Sequence, residues 1–283
     1  RVGAGSARNE YTMSGGSLDA FFLRVGTNSG EGLFTMQDGA SALVTRADIG
    51  GSFGTGTLMV EGGVFTAEQM YVSTLLGTFP ALEGTGSVEI TGGLLECTDF
   101  LNLGRAEGAT LNHTGGELRI QNNYNIGQHE NPSISTHSGA AILNVPGTVR
   151  VGSNDGGYGV LRQFDATTDI GTLIVGSGAG TVGWLEVGDI TGLAGTCDVG
   201  DVIIGQGGDA RADVCSGLLT ADTVTVGVSV ASGSPSQSID LRGGTLTTEC
   251  LRVGGAPGHT SIVWLNGGTL NAVRLDLGIA DDA

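Results

Sequence analysis

The sequence predicts an all-β fold: a single-stranded right-handed parallel β-helix (β-solenoid) of about 11–12 coils, each with three short strands. Three observations carry that expectation. A phrase apolar–x–apolar–Gly returns about every 24 residues along the whole chain, and repeats of this period indicate a solenoid. The 53 glycines against 5 prolines, with only 5 % aromatic residues, lie far from the usage of a globular domain. Apolar residues alternate with polar ones in short runs, and no stretch sustains a helical 3.6 period.

Each coil reads in three segments. The first follows a Gly-Gly step, as in Gly92-Gly93-Leu-Leu95, Gly115-Gly116-Glu-Leu118 and Gly243-Gly244-Thr-Leu246. The second is the phrase itself, as in Leu23-Arg-Val25-Gly26, Leu101-Asn-Leu103-Gly104 and Leu251-Arg-Val253-Gly254, with Ser73 replacing the glycine after Met70-Tyr-Val72. Its first and third positions are expected to point inward. The middle position forms an outward column through Arg24, Asp48, Tyr71, Asn102, Asn125, Arg150, Ile174, Ile203, Thr225, Arg252 and Asp276. The third segment precedes the next Gly-Gly, as in Leu58-Met-Val60, Val88-Glu-Ile90 and Val263-Trp-Leu265. Glycine suits the corners because tight turns need positive φ and leave no room for a Cβ. Right-handed coiling follows from the connection rule for parallel strands.

Most phrase glycines are 23 to 25 residues apart, but the step from Ser73 to Gly104 is 31, from Gly176 to Gly205 is 29 and from Gly227 to Gly254 is 27. The extra residues are placed mainly after the second strand, in Ser73–Gly86 and Ser229–Ser238. The chain reads as one solenoid over residues 1–283, beginning mid-coil at Arg1-Val2-Gly3 and ending mid-coil after Leu277-Gly278. Uncapped ends of this kind predict head-to-tail association by coil stacking, or a piece of a longer solenoid. The missing initiator Met reads as a mature or trimmed product.

The alternation of G-G-x-L with L-x-V-G, seen in Gly243-Gly-Thr-Leu-Thr-Thr-Glu-Cys-Leu-Arg-Val-Gly254, resembles repeats of bacterial secreted and surface proteins. These are the autotransporter-passenger-like and PEP-CTERM-associated β-solenoids. The resemblance covers nearly the full length and implies a structural or adhesive role outside the cell or at its surface. Some members of the wider pectin-lyase-like class cleave polysaccharides, but no catalytic motif of that class can be placed on these residues.

A formal charge of −17, with every basic residue an arginine, excludes a phosphate-backbone partner and disfavours an anionic membrane surface. No apolar run approaches the ~20 residues of a membrane span. Acidic residues are compatible with Ca²⁺, and Asp198, Asp201, Asp209 and Asp213 are candidate ligands, against the plainer reading of solvated turn residues. Cys197 and Cys215, a little under one period apart, are a candidate disulfide, with buried free thiols as the alternative. Ile174 and Ile203 at outward positions, and Trp264 between Val263 and Leu265, are candidate interface residues, to be met by a lateral protein partner or by an inserted loop. His113 takes an inward slot and reads as a packed or hydrogen-bonded core residue, while His129, His137 and His259 have no visible partner. No Ser-His-Asp or Cys-His arrangement emerges. The expected function is therefore a non-enzymatic extracellular structural protein, self-associating as a filament subunit. The alternative is a polysaccharide-binding or polysaccharide-degrading β-helix with an acidic groove over Asp165–Asp222.

Overall fold

The structure is a computed structural model that describes residues 1–4, 8–27, 29–51, 53–74, 84–154, 156–228, 236–254 and 260–278. All pairing is parallel, and each strand bonds to the strand one coil away, which makes the chain a β-solenoid. The N-terminal half runs β1 (Val2–Ala4), β2 (Arg8–Met13), β3 (Gly16–Thr27), β4 (Glu31–Met36), β5 (Ala40–Gly51), β6 (Thr55–Val60), β7 (Val64–Thr74), β8 (Thr85–Ile90), β9 (Leu94–Leu103), β10 (Ala109–Ile120) and β11 (Asn123–Ile126). It continues as β12 (Ser133–Val151), β13 (Tyr158–Phe164), β14 (Thr167–Val175), β15 (Val182–Val187), β16 (Thr196–Ile204), β17 (Asp209–Val214), β18 (Leu218–Val226), β19 (Ser236–Leu241), β20 (Thr245–Val253), β21 (Thr260–Leu265) and β22 (Thr269–Leu277).

The first and second segments, expected as separate strands, usually run on as one bent strand. In β3 both Leu18 and the phrase Leu23–Val25 belong to a single element. Register irregularities mark the bend, between Ala67 and Gln69 in β7 and between Val145 and Thr148 in β12. A bulge turns the corner while the flanking ladder hydrogen bonds continue, so no full turn is needed.

The phrase residues stack in register as expected. One inward column runs Val2, Val25, Ile49, Val72, Leu103, Ile126, Val151, Val175, Ile204, Val226, Val253 and Leu277. From Val25 to Val226 every member is fully buried. The final rung differs: Leu275 and Leu277 are exposed, Leu277 at 67 %, because nothing described lies beyond them to cover their columns.

The glycine closing the phrase is demanded twice over. Gly26 has φ +61°, in the left-handed region, and a Cβ there would run into the Thr55 carbonyl of the next coil. Ser73 holds the same conformation at φ +58°, and its hydroxyl compensates by donating to the Gly84 carbonyl and accepting from the Glu107 amide.

The third segment supplies the opposite wall of the core. Its column reads Met13, Met36, Val60, Ile90, His113, His137, Gln163, Val187, Val214 and Leu241. Three consecutive rungs of an otherwise apolar column are thus polar, and all three side chains are fully buried.

Candidate functional site

Burial of polar side chains costs free energy unless they are paired; Gln163 Oε1 accepts from the Thr168 hydroxyl at 2.7 Å while its Nε2 has no partner among the described residues, and the two histidines are paired through one hydrogen-bonded chain. The Tyr124 hydroxyl donates to Ser135 Oγ at 2.7 Å, and Ser135 Oγ lies 2.7 Å from His137 Nε2. His137 Nδ1 meets His113 Nδ1 at 3.1 Å, and His113 Nε2 meets the Gly116 carbonyl at 3.1 Å. With both rings neutral, as their burial favours, the Gly116 carbonyl, which only accepts, sets the order of protons: His113 carries its hydrogen on Nε2 and His137 on Nδ1, and Ser135 donates to His137 Nε2. Burial lowers the pKa of His113, and burial together with the neighbouring His113 lowers that of His137 well below the ordinary value. His113 is therefore the hydrogen-bonded core residue that its slot suggested. His137, expected to lack a partner, is its partner. His259 lies outside the described residues, and His129 sits at a corner.

On the outside of the third-segment wall, a groove of about 260 Å³ runs across β13, β15, β17, β19 and β21. Tyr158, Trp184, Arg211, Ser236, Ser238 and Trp264 line it. Trp184, Arg211 and Ser238 occupy successive rungs of one outward column. Trp264 stands one rung beyond Ser238, paired opposite Asp240. The Trp184 indole donates to Asp213 Oδ2 at 3.1 Å, and the Arg211 guanidinium lies 5.8 Å from the ring centre. Trp264 is 44 % exposed on β21, the last third-segment strand described, where the inward Leu265 is 57 % exposed.

Beside the groove runs a column Arg162, Glu186, Asp213, Asp240 and Trp264. Like charges on adjacent rungs repel, and arginines neutralise them: Arg162 to Glu186 at 3.3 Å, Arg211 to Asp213 at 2.7 Å and Arg242 to Asp240 at 2.6 Å. Burial raises the pKa of Glu186. For Asp240, hydrogen bonds from Arg242 and Asn266 and the charges of Arg242 and Arg211 outweigh the opposing burial, so its pKa is lowered.

The other expected site residues are dispersed. Asp198 and Asp201 project from β16, while Asp209 and Asp213 lie on β17, and Asp213 is engaged by Arg211 and Trp184. The four candidate calcium ligands therefore do not converge, and no group of three metal-ligating side chains occurs among the described residues. Cys197 and Cys215 are both free thiols. Cys197 faces the core from the first segment and Cys215 follows the third, because a spacing short of one period puts them on different sides of the coil. Ile174 is only 6 % exposed between Arg150 and Ile203 in its column, and Ile203 is half-buried, so neither presents a free apolar surface.

The long step from Gly176 to Gly205 also differs from expectation. Its extra residues form the Gly188–Gly195 corner, after the third segment rather than the second. There the Asp189 carboxylate accepts from the amides of Thr191 and Leu193 and from the Thr191 hydroxyl. The expected insertions at Ser73–Gly86 and Ser229–Ser238 fall largely outside the described residues. A second cavity of about 530 Å³, lined by polar residues including Asn123, Asn125, Arg150 and Asn154, opens at the corner after the phrase strand. No helix among the described residues is long and apolar enough to cross a membrane.

The fold defines the chain as a β-solenoid repeat protein. Comparison with protein-family models, curated proteins and solved structures gives no match.

Proposed function

We propose that this chain is a non-enzymatic, extracellular structural rod. The observation that carries the reading is the unbroken register of the phrase column from Val2 to Leu277, which joins the described coils in one stiff stack. Two further features support it. Carboxylates beside the tryptophan-lined groove are held by arginines, and the G-G-x-L and L-x-V-G repeats resemble those of secreted and surface proteins. A filament form is the same reading carried further, with coils of separate copies stacking in the parallel register that joins the described coils.

Small-angle scattering and electron microscopy test the reading. A rod roughly 55 Å long, set by the ~4.8 Å strand spacing, is expected from the dilute chain, with longer rods at high concentration. A compact particle would reject the rod, and short rods that never associate would reject the filament. Release of reducing ends from a polysaccharide, lost on replacing Asp198 or Asp201, would overturn the non-enzymatic part.

A further inference from the structure

The groove over β13–β21 gathers the tryptophans of the chain on one outer face. The chain contains only 2 tryptophans and 4 tyrosines, yet both tryptophans and Tyr158 line this one groove. The phrase-strand column carries Tyr71, which is buried, between Asp48 and Asn102, and the exposed Tyr11, Phe21 and Phe22 lie apart from the groove on β2 and β3. The geometry points to a binding site for a neutral linear glycan, lying along the rod axis with its sugar faces on Trp184 and Trp264.

Four features of the groove select that class. Trp184 and Trp264 are three rungs apart along the axis, roughly 14 Å at the ~4.8 Å strand spacing, which suits a chain of sugars rather than a single ring. Trp184 is held by its indole bond to Asp213, so its ring is set before any ligand arrives and little conformational entropy is lost on binding. Between the rings lie Ser236, Ser238 and Arg211, whose hydroxyls and guanidinium N–H groups offer the spaced hydrogen bonding that sugar hydroxyls need. This alternation of isolated rings with polar groups differs from the contiguous apolar patch of a protein interface.

Charge excludes an anionic glycan. Arg211 is the only cation among the described groove residues, and it is already engaged by Asp213 at 2.7 Å and Asp240 at 3.9 Å. Asp209 adds a negative charge at the rim, where it accepts from the Ser236 amide. A uronate would meet carboxylates without a free counter-charge.

The inference goes beyond the structural reading and does not depend on it, because a rod with or without this groove stacks identically. The full chain should be titrated with hexamers of β-1,4-linked glucose, xylose and mannose, with hexagalacturonate as the anionic control. Intrinsic tryptophan fluorescence is a direct readout, since both emitters line the groove. At least one neutral hexamer is expected to shift the emission. Trp264→Ala, at an exposed position, should weaken that binding at least tenfold with the far-ultraviolet circular dichroism unchanged; Trp184→Phe should weaken it less. No response to any neutral hexamer, tighter binding of hexagalacturonate, or full binding by Trp264→Ala would overturn the inference. So would self-association abolished by Trp264→Ala, which would assign the groove to a second copy.

Discussion

Acid should unfold this protein through two side chains in its core. His113 and His137 are buried and neutral, each with its folded pKa held by burial below the ordinary histidine value of about 6.5. Between that folded value and about 6.5 the unfolded chain binds more protons than the folded one, so stability is full above this window and falls as pH drops through it. The slope is about 1.4 kcal/mol per pH unit for each histidine, hence about 2.7 for the pair while both stay neutral when folded. It should halve once His113 protonates, because His137 is depressed further. Burial raises the pKa of the neighbouring Tyr124 and Cys97, so neither adds to the slope. Urea unfolding of the native chain and of His113→Leu/His137→Leu, from pH 8 to pH 5, isolates the effect. At pH 8 His137→Leu alone should cost about 2–4 kcal/mol, because it leaves His113 Nδ1 and the Ser135 hydroxyl unpaired in the core. The double variant should cost no more than the single one, since leucine suits a column flanked by Ile90. An unchanged pH slope in the double variant, or a His137 resonance titrating at or above 6.5, would refute the reasoning.

Gly26→Ala should destabilise by at least about 2 kcal/mol, from left-handed strain and the clash with the Thr55 carbonyl, read as a lower unfolding midpoint. Asp48→Ala removes the buried carboxylate that accepts from Arg24 at 3.3 Å and Arg46 at 2.8 Å and leaves two part-exposed arginines free to hydrate; it should cost about 1.5–3 kcal/mol, more than Arg24→Ala, which leaves Asp48 paired with Arg46, in the same denaturation assay. A thiol reagent at pH 8 should label half-buried Cys250 first in the folded chain. Cys97 and Cys197 should stay inert until denaturant is added, burial having pushed the Cys197 thiol up to about 12, and intact mass without reductant should count four free thiols.

The parts legible in the sequence are those repeated at constant period. The phrase columns could be aligned because most coils differ by one residue at most, and Trp264 could be turned outward because alternation within one strand is local. The His113–His137 pair was equally available, since the two lie one period apart, as do Leu111 and Ser135. It was missed because His137 was judged by its immediate neighbours, where no partner exists, rather than by the rung above. The aromatic groove was hidden for a different reason. Trp184 and Trp264 are separated by the Gly188–Gly195 corner and by residues 229–235, so counting by period does not bring them to one face. At the outward position of Ile174 the two expectations, a lateral partner or cover from the chain itself, differ in exposure, and its 6 % exposure matches cover from the chain itself.

A solenoid offers little freedom for chemistry inside, because each inward column must pack against the rungs on both sides. The histidine chain respects that limit: every proton in it has a single place to be, and none reaches solvent. Outside, Glu186 and Asp213 sit on adjacent rungs, and burial raises the pKa of Glu186 as a proton donor in glycoside hydrolysis would require. Burial argues against using them so. The Asp213 side chain is 3 % exposed, with Arg211 on one oxygen and the Trp184 indole on the other, so it cannot meet a sugar carbon. The same carboxylate fixes the Trp184 ring at the groove wall. Asp213 thus serves to aim the Trp184 ring, which is the role the proposed glycan site asks of it.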